Sequence, residues 1–573
     1  MRTQLFLILP TLLITYSVYA QTSYPTNYFR SPVDSTLTLA GNFGEIRPNH
    51  FHAGFDVRTN NHEGKPVYAV ADGYVSRIKI SPLGYGKSIY ITHPNGYTSV
   101  YGHLQRFETT IQAFTKRVQY SKKSFEIDTI LSPDALPVKK GQQIALSGNT
   151  GGSEAPHLHF EIRDTKTEMP INPYYFGYIV IDTVKPKITA LAIYPIGENA
   201  TVNGKHQLKK MIPTSKNENY SLLKTDTINV NGDIGFGIEC YDSENKSKNK
   251  NQVFSIELQS GGKRIYYCEF EKFTFENARY VNAHIDFAEK QKHNSKIQKC
   301  FLSKNNEAGI YKNVLNRGII SFTDDSIHWI RYIVKDFVGN TVEAMLKVKS
   351  SSKIKIKTAA ANTSVFDCLR GNQFAGEDVL INIPAYALYD DLKFTYSNSP
   401  KMRGTYSLLH HIQNDETALQ KAITLSIKPV LLPDALQNKA CIISIDKKGK
   451  KNYEEGDYKN GWVTTQTKDL GNFAIAVDTT APKLKPLFNY VPNTVINFTK
   501  AKTIGIKATD DLSGIQKYRA TIDGNWVICE YEMKKDLLFY TFDDQITKGK
   551  HIFKIEVTDD KGNTSVLMFN FNR

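Results

Sequence analysis

The chain has 573 residues, 40 % of them apolar and 23 % charged, a balance that argues against extended disorder and leaves material for roughly three to five packed domains. Its 32 Tyr and 30 Phe favour a strand-rich protein. The net charge of +15 fits either attraction to anionic envelope polymers or a Lys-rich solvated surface, and without a recognisable reader motif nucleic acid is set aside as a partner.

Taken in chain order, residues 1–20 read as a signal peptide. A basic start precedes the short apolar run from Leu5, and Val18-Tyr19-Ala20 supplies small residues at the cleavage positions. The run is too short for a membrane anchor and Pro10 interrupts it. No later stretch is long and apolar enough to span a bilayer. The expectation is an exported protein, periplasmic or extracellular at the cell envelope, with no transmembrane segment.

Residues 21–180 alternate strands and tight turns. Val67–Ala71 and Tyr74–Ile80 read as strands about an Asp72-Gly73 turn, and Ile89–Thr92 and Tyr97–Tyr101 as a hairpin around His93-Pro-Asn-Gly96. Between residues 105 and 137 the texture changes: Ile111, Phe114 and Val118 have helical spacing, so a short helical insertion is expected. Strand character returns at Gln142–Ser147 and His157–Ile162.

Beyond residue 180 three signals recur. Asp182-Thr-Val-Lys-Pro matches Asp478-Thr-Thr-Ala-Pro, the run ending at Asp242 matches the one ending at Asp510, and Asp336…Gly339-Asn340 matches Asp559…Gly562-Asn563. Repeated entry, middle and exit signals predict two related immunoglobulin-like β-sandwiches at 181–350 and 478–573, with another β-rich module at 351–477. The six cysteines all lie beyond residue 200 without paired spacing; export would permit disulfides, but their pairing is not readable.

The chemistry gathers in the first domain. His52-Ala-Gly-Phe-Asp56 and His157-Leu-His159 have even offsets, so on extended backbone each pair projects from one face. Two imidazoles and a carboxylate can hold zinc and leave a fourth position free, the arrangement of a catalytic site. Seven of the 14 histidines precede residue 160, and Tyr101-Gly-His103-Leu lies between the two motifs.

The order of these segments, with Gly44-Glu-Ile-Arg47 before the first and Gly148-Asn-Thr-Gly151 before the last, resembles the lysostaphin/LytM-type zinc endopeptidases of peptidoglycan. The resemblance spans roughly residues 40–175. It implies an all-β chain with a lysostaphin-type peptidase domain ahead of the sandwiches, one Zn2+ per chain on His52, Asp56 and His159, and catalytic roles for His157 and His103. His157 is the favoured general base and His103 the partner of the attacking water or oxyanion, roles that the sequence leaves exchangeable. The implied substrate is a peptide bond of peptidoglycan stems or cross-links, with envelope proteins as possible partners of the β modules. Two other readings stand beside it: an activator or scaffold for another wall hydrolase, and a multi-module adhesin with a structural zinc. The 105–137 insertion departs from the family's shorter connection, which raises autoinhibition by it or by the β modules as an expectation. Glu161 is read as either a hydrogen-bonding neighbour of the ligands or a surface carboxylate; His50, His62, His93, His410 and His411 are read as solvated or structural.

Overall fold

The computed structural model describes residues 24–178, 180–216, 219–222, 227–245, 248–351 and 364–573; the expected signal peptide lies outside these. About 46 % of the chain is strand and 8 % helix, an all-β protein with local helical decoration.

The first domain is built on a sheet whose path runs Leu39–Gly41, Phe55–Arg58, His157–Asp164, Tyr97–Gly102, Lys87–Thr92, Gly73–Ile80 and Ile127–Ile130. A three-stranded sheet of Pro66–Tyr68, Gln143–Ser147 and Leu104–Phe107 accompanies it. The 89–101 hairpin forms as expected, Ile89 facing Tyr101 and Thr92 facing Thr98. The strands about Asp72-Gly73 form but do not pair with each other. Pro66–Tyr68 pairs with Gln143–Ser147, and the Asp72 carboxylate accepts from the Lys140 amide at 2.7 Å, so the corner passes the chain from one sheet to the other.

The expected helical insertion is the Thr109–Lys122 helix, which buries Ile111, Thr115 and Gln119. Glu108 caps its start by accepting from the Thr110 amide, and Lys123 ends it in a left-handed conformation. Ile127–Ile130 then adds an edge strand against Gly73–Ile80, and Phe125 and Ile127 are buried in the domain core. The insertion is therefore part of the fold and not a loose flap.

The following module joins thirteen strands in one hydrogen-bonded sheet. Its core is continuous with that of the first domain: Phe43 meets Phe273, and Phe51 meets Phe270, with ring centroids 5.0 and 5.7 Å apart. Two five-stranded sheets and one two-stranded sheet make up the part between residues 365 and 477, and a four-stranded and a five-stranded sheet the part from 483 on; each part has its own core. All six cysteines are buried free thiols. Among the described residues no helix is long and apolar enough to cross a membrane.

Candidate metal centre

The His157–Asp164 strand lies between two partners, with Asp56 opposite His159 on one side and Gly102 on the other. His157, two residues earlier on that strand, projects from the same face. His52 arrives differently. Four extended residues would separate it from Asp56 by about 13 Å, yet His52 Nε2 is 3.1 Å from Asp56 Oδ1. The expectation of one strand face for this pair is thus corrected: the chain bends at Ala53-Gly54, ahead of the Phe55–Arg58 strand. Gly54 permits the bend, since a Cβ there would lie 2.2 Å from the Phe160 carbonyl oxygen. His103 follows Tyr97–Gly102 in the left-handed region, φ 58°, a conformation held by its setting and not by preference.

His52 Nε2, Asp56 Oδ1 and His159 Nδ1 form a buried triangle with edges of 3.1, 2.9 and 3.0 Å. Each of four histidines has its other ring nitrogen committed to an acceptor. His52 Nδ1–H donates to the Asn42 carbonyl at 2.7 Å, His159 Nε2–H to Glu161 at 2.7 Å, His103 Nδ1–H to the Thr150 carbonyl and His157 Nδ1–H to the Ala155 carbonyl, both at 2.8 Å. Acceptors that cannot donate fix the tautomer of the neutral ring, so the nitrogens that His52 and His159 turn to Asp56 offer lone pairs to a cation once they are deprotonated. A donor set of two imidazoles and one carboxylate, with matching outer partners, fits a zinc ion.

His157 is placed differently from the triangle. Its Nε2 is 3.2 Å from Asp56 Oδ1 but out of hydrogen-bond alignment, and it has no partner. Its side chain is 14 % exposed against 2 % for His52 and 3 % for His159, so the ring reaches solvent while its Nε2 is buried. The His103 ring lies 4.8 Å from that of His157 and 5.8 Å from that of His159.

The charges follow from burial and neighbours. Burial would lower His159, but Asp56 and Glu161 outweigh it and hold the imidazole up at about 9. Burial would raise Asp56, but the three histidines hold it well below the usual carboxylate range. His103 is pushed down to about 3 by burial and by His159 and His157.

Three neighbours were not anticipated. Asn42 orients His52 through its carbonyl; Arg47 donates to Asp56 Oδ2 and to Glu45; Tyr85 donates to Glu161 and stacks on His159 at 4.8 Å. Glu161 is fully buried, which removes the surface reading for it. Glu161→Gln is expected to weaken zinc retention about 10–100-fold, the usual cost of losing an outer partner of a ligand. Competition with a chromophoric chelator measures this, and unchanged retention would reduce Glu161 to packing. His50 and His62 are exposed, His93 is bonded to the Asp72 carbonyl and Ser99, and His410 to the Tyr396 hydroxyl; none joins the centre.

The Asn149–Ser153 loop carries the carbonyl that orients His103, and it crosses the Gly84–Gly86 turn so closely that a Cβ on Gly151 would lie 2.3 Å from the Gly86 nitrogen. The last module grips this loop. Lys534 Nζ donates to the Asn149 and Ser153 carbonyls, and Glu530 pairs with Lys87 at 2.6 Å. Beside it, Tyr120 of the insertion helix donates to Asp543 at 2.8 Å and stands edge-on to Trp526.

Residues 50–123 and 125–173 match the model of peptidase family M23, and residues 363–478 match that of a Zu5-like domain. The first match shows the resemblance read from the motifs: the first domain is of the M23, lysostaphin/LytM type. Peptidoglycan DD-endopeptidase ShyA of Vibrio cholerae is 32 % identical over 139 residues, covering 23 % of this chain and 26 % of the relative. Murein hydrolase activator NlpD of Salmonella dublin is 32 % identical over 142 residues, covering 25 % and 30 %. The chain spans less than a third of the length of these curated relatives, and the first-listed ones are covered to 19 % and 27 %. Among solved structures, the catalytic domain of lysostaphin from Staphylococcus simulans is 24 % identical, covering 25 % of this chain and 92 % of that one with a TM-score of 0.19.

Proposed function

We propose that the chain is an exported, zinc-dependent endopeptidase that hydrolyses peptide bonds in peptidoglycan stems or cross-links. The observation that carries this is the tautomer pattern: buried acceptors prepare His52 and His159 as ligands and leave His157 Nε2, itself buried, unpartnered 3.2 Å from the same Asp56 oxygen. Zinc held by His52, Asp56 and His159 would lower the pKa of water toward ~7 and polarise the scissile carbonyl. His157 Nε2 accepts the proton of the attacking water and returns it to the leaving amine. His103 stays neutral across the working range, with its Nδ1–H spent on Thr150, so its role is to hold the water in place and exclude alternatives. Arg47 and Asn42 keep Asp56 and His52 aimed.

Export is supported by the basic start and apolar run of residues 1–20 and by relatives named as wall enzymes. The deciding experiment is incubation of the zinc-loaded full chain with purified sacculi, followed by a count of newly freed amines. New amines establish the hydrolase. Sacculi left intact, together with faster digestion by a second wall hydrolase, would establish the activator reading that the match to NlpD supports.

The grip of the last module on the Asn149–Ser153 loop favours control of that activity by the module. Replacing Lys534 and Glu530 together by Ala is expected to raise turnover on sacculi by up to about tenfold, the population shift that two lost surface contacts permit. Equal turnover of wild type and variant would show that the module only braces the loop.

A further inference from the structure

The repeated signals of the β modules have a physical meaning that peptidase chemistry does not use. Asp182, Asp242 and Asp336, one from each of the three recurring motifs, converge with carboxylate oxygens within 4.8 Å of one another, and Asp478, Asp510 and Asp559 do the same in the last module. The two clusters are wired alike. Asp336 accepts from the amide and the carboxamide of Asn340, and Asp559 from those of Asn563. Asn340 reaches back to the Asp182 carbonyl and Asn563 to that of Asp478.

A second observation, independent of the clustering, points to a ligand at the first of them. Asp242 is 6 % exposed, and its Oδ1 is buried without a hydrogen-bond partner, as is the carboxamide oxygen of Asn251, the residue paired with Asp242 across a β-bridge. Two buried carboxylates and the half-buried Asp182 share this position, and a cavity of about 20 Å³ is lined by all three, room for one water-sized occupant.

We propose that Asp182, Asp242 and Asp336 hold a hard divalent cation, calcium by preference, at the junction between the peptidase domain and the first β module. An all-oxygen set without His or Cys selects a hard cation. Ligands drawn from three separate segments make a flexible cage, which suits calcium better than the strict octahedron of magnesium. Burial together with repulsion from Asp182 and Asp336 pushes Asp242 up to about 8, the strain that a cation would relieve. The site also touches the metal centre. Asn42, which lines the cavity, is clasped to the backbone of Gln252, next to Asn251, at 2.7 and 2.9 Å, and its carbonyl orients His52. The cation would therefore fix the segment from which His52 is aimed.

Equilibrium dialysis tests this on the zinc-loaded full chain in calcium, beside Asp242→Asn under the same conditions. The expected result is that the variant binds one calcium fewer per chain. Its fold is controlled by melting: the substitution removes a repelled charge, so the calcium-free variant should melt no lower than calcium-free wild type. Added calcium should raise the melting temperature of wild type by more than that of the variant. Equal calcium binding by the two proteins, or stoichiometric displacement of the calcium by equimolar magnesium, would overturn the proposal.

Discussion

Asp56→Ala and His159→Ala are each expected to leave the folded chain without zinc and to lower turnover on peptidoglycan by about 10³-fold or more. The size follows from the several kcal/mol of transition-state stabilisation that a metal supplies, at 1.36 kcal/mol per decade of rate. Asp56 is the common edge of the triangle, 3.1 Å from His52 and 2.9 Å from His159, so its removal separates the ligands as well as deleting one. It also leaves Arg47, one of its partners, to Glu45 alone. A pH dependence accompanies this. Without zinc, His159 is held protonated up to about 9, since Asp56 and Glu161 outweigh the lowering effect of burial. Zinc must displace that proton, so affinity rises with pH and weakens by about tenfold per unit below that value. Metal analysis after gel filtration, repeated across pH, reads both effects; a variant that keeps its zinc would show that the ion sits elsewhere.

His157→Ala is expected to do the opposite with the metal. It should keep one zinc per chain while turnover falls about 10²–10⁴-fold, the range for loss of a positioned general base. The difference rests on geometry: His157 Nε2 stands 3.2 Å from Asp56 Oδ1, buried and unpartnered, on a side chain that is 14 % exposed, against 2 % and 3 % for the two ligand histidines. His103→Ala should leave the acidic side of the pH–rate profile unchanged, because burial and its histidine neighbours already push His103 down to about 3. Zinc lost together with His157 would make it a ligand and overturn the division of roles.

Much of this centre was legible from the residues. Asp56 and His159 are cross-strand neighbours, and spacing within the His157–His159 pair reports a strand face directly. The His52–Asp56 pair was recognisable for a different reason than periodicity gave, since a bend at Gly54 and not a shared strand brings it together. Asn42 and Tyr85 left no local signal, and Arg47 closed the Gly44–Arg47 segment without a readable role: a carbonyl, a guanidinium and a phenol become partners only when distant segments fold together. The hold of Lys534 on Asn149, across 385 residues, is likewise invisible in one dimension. The Asp72-Gly73 corner shows the limit of turn chemistry, which fixes a change of direction but not the sheet that each arm enters. The aspartate repeats were plain in the sequence, but their convergence was not.

In the proposed centre three side chains hold the metal while a fourth, adjacent histidine stays free. Diffraction from crystals of the zinc-loaded chain, recorded on both sides of the zinc absorption edge, tests it most directly. One anomalous peak is expected, within about 2.0–2.2 Å of His52 Nε2, Asp56 Oδ1 and His159 Nδ1, with His157 and His103 beyond bonding distance. A peak bonded to His157 as well would make the centre a closed structural site, and no peak among these residues would contradict the account.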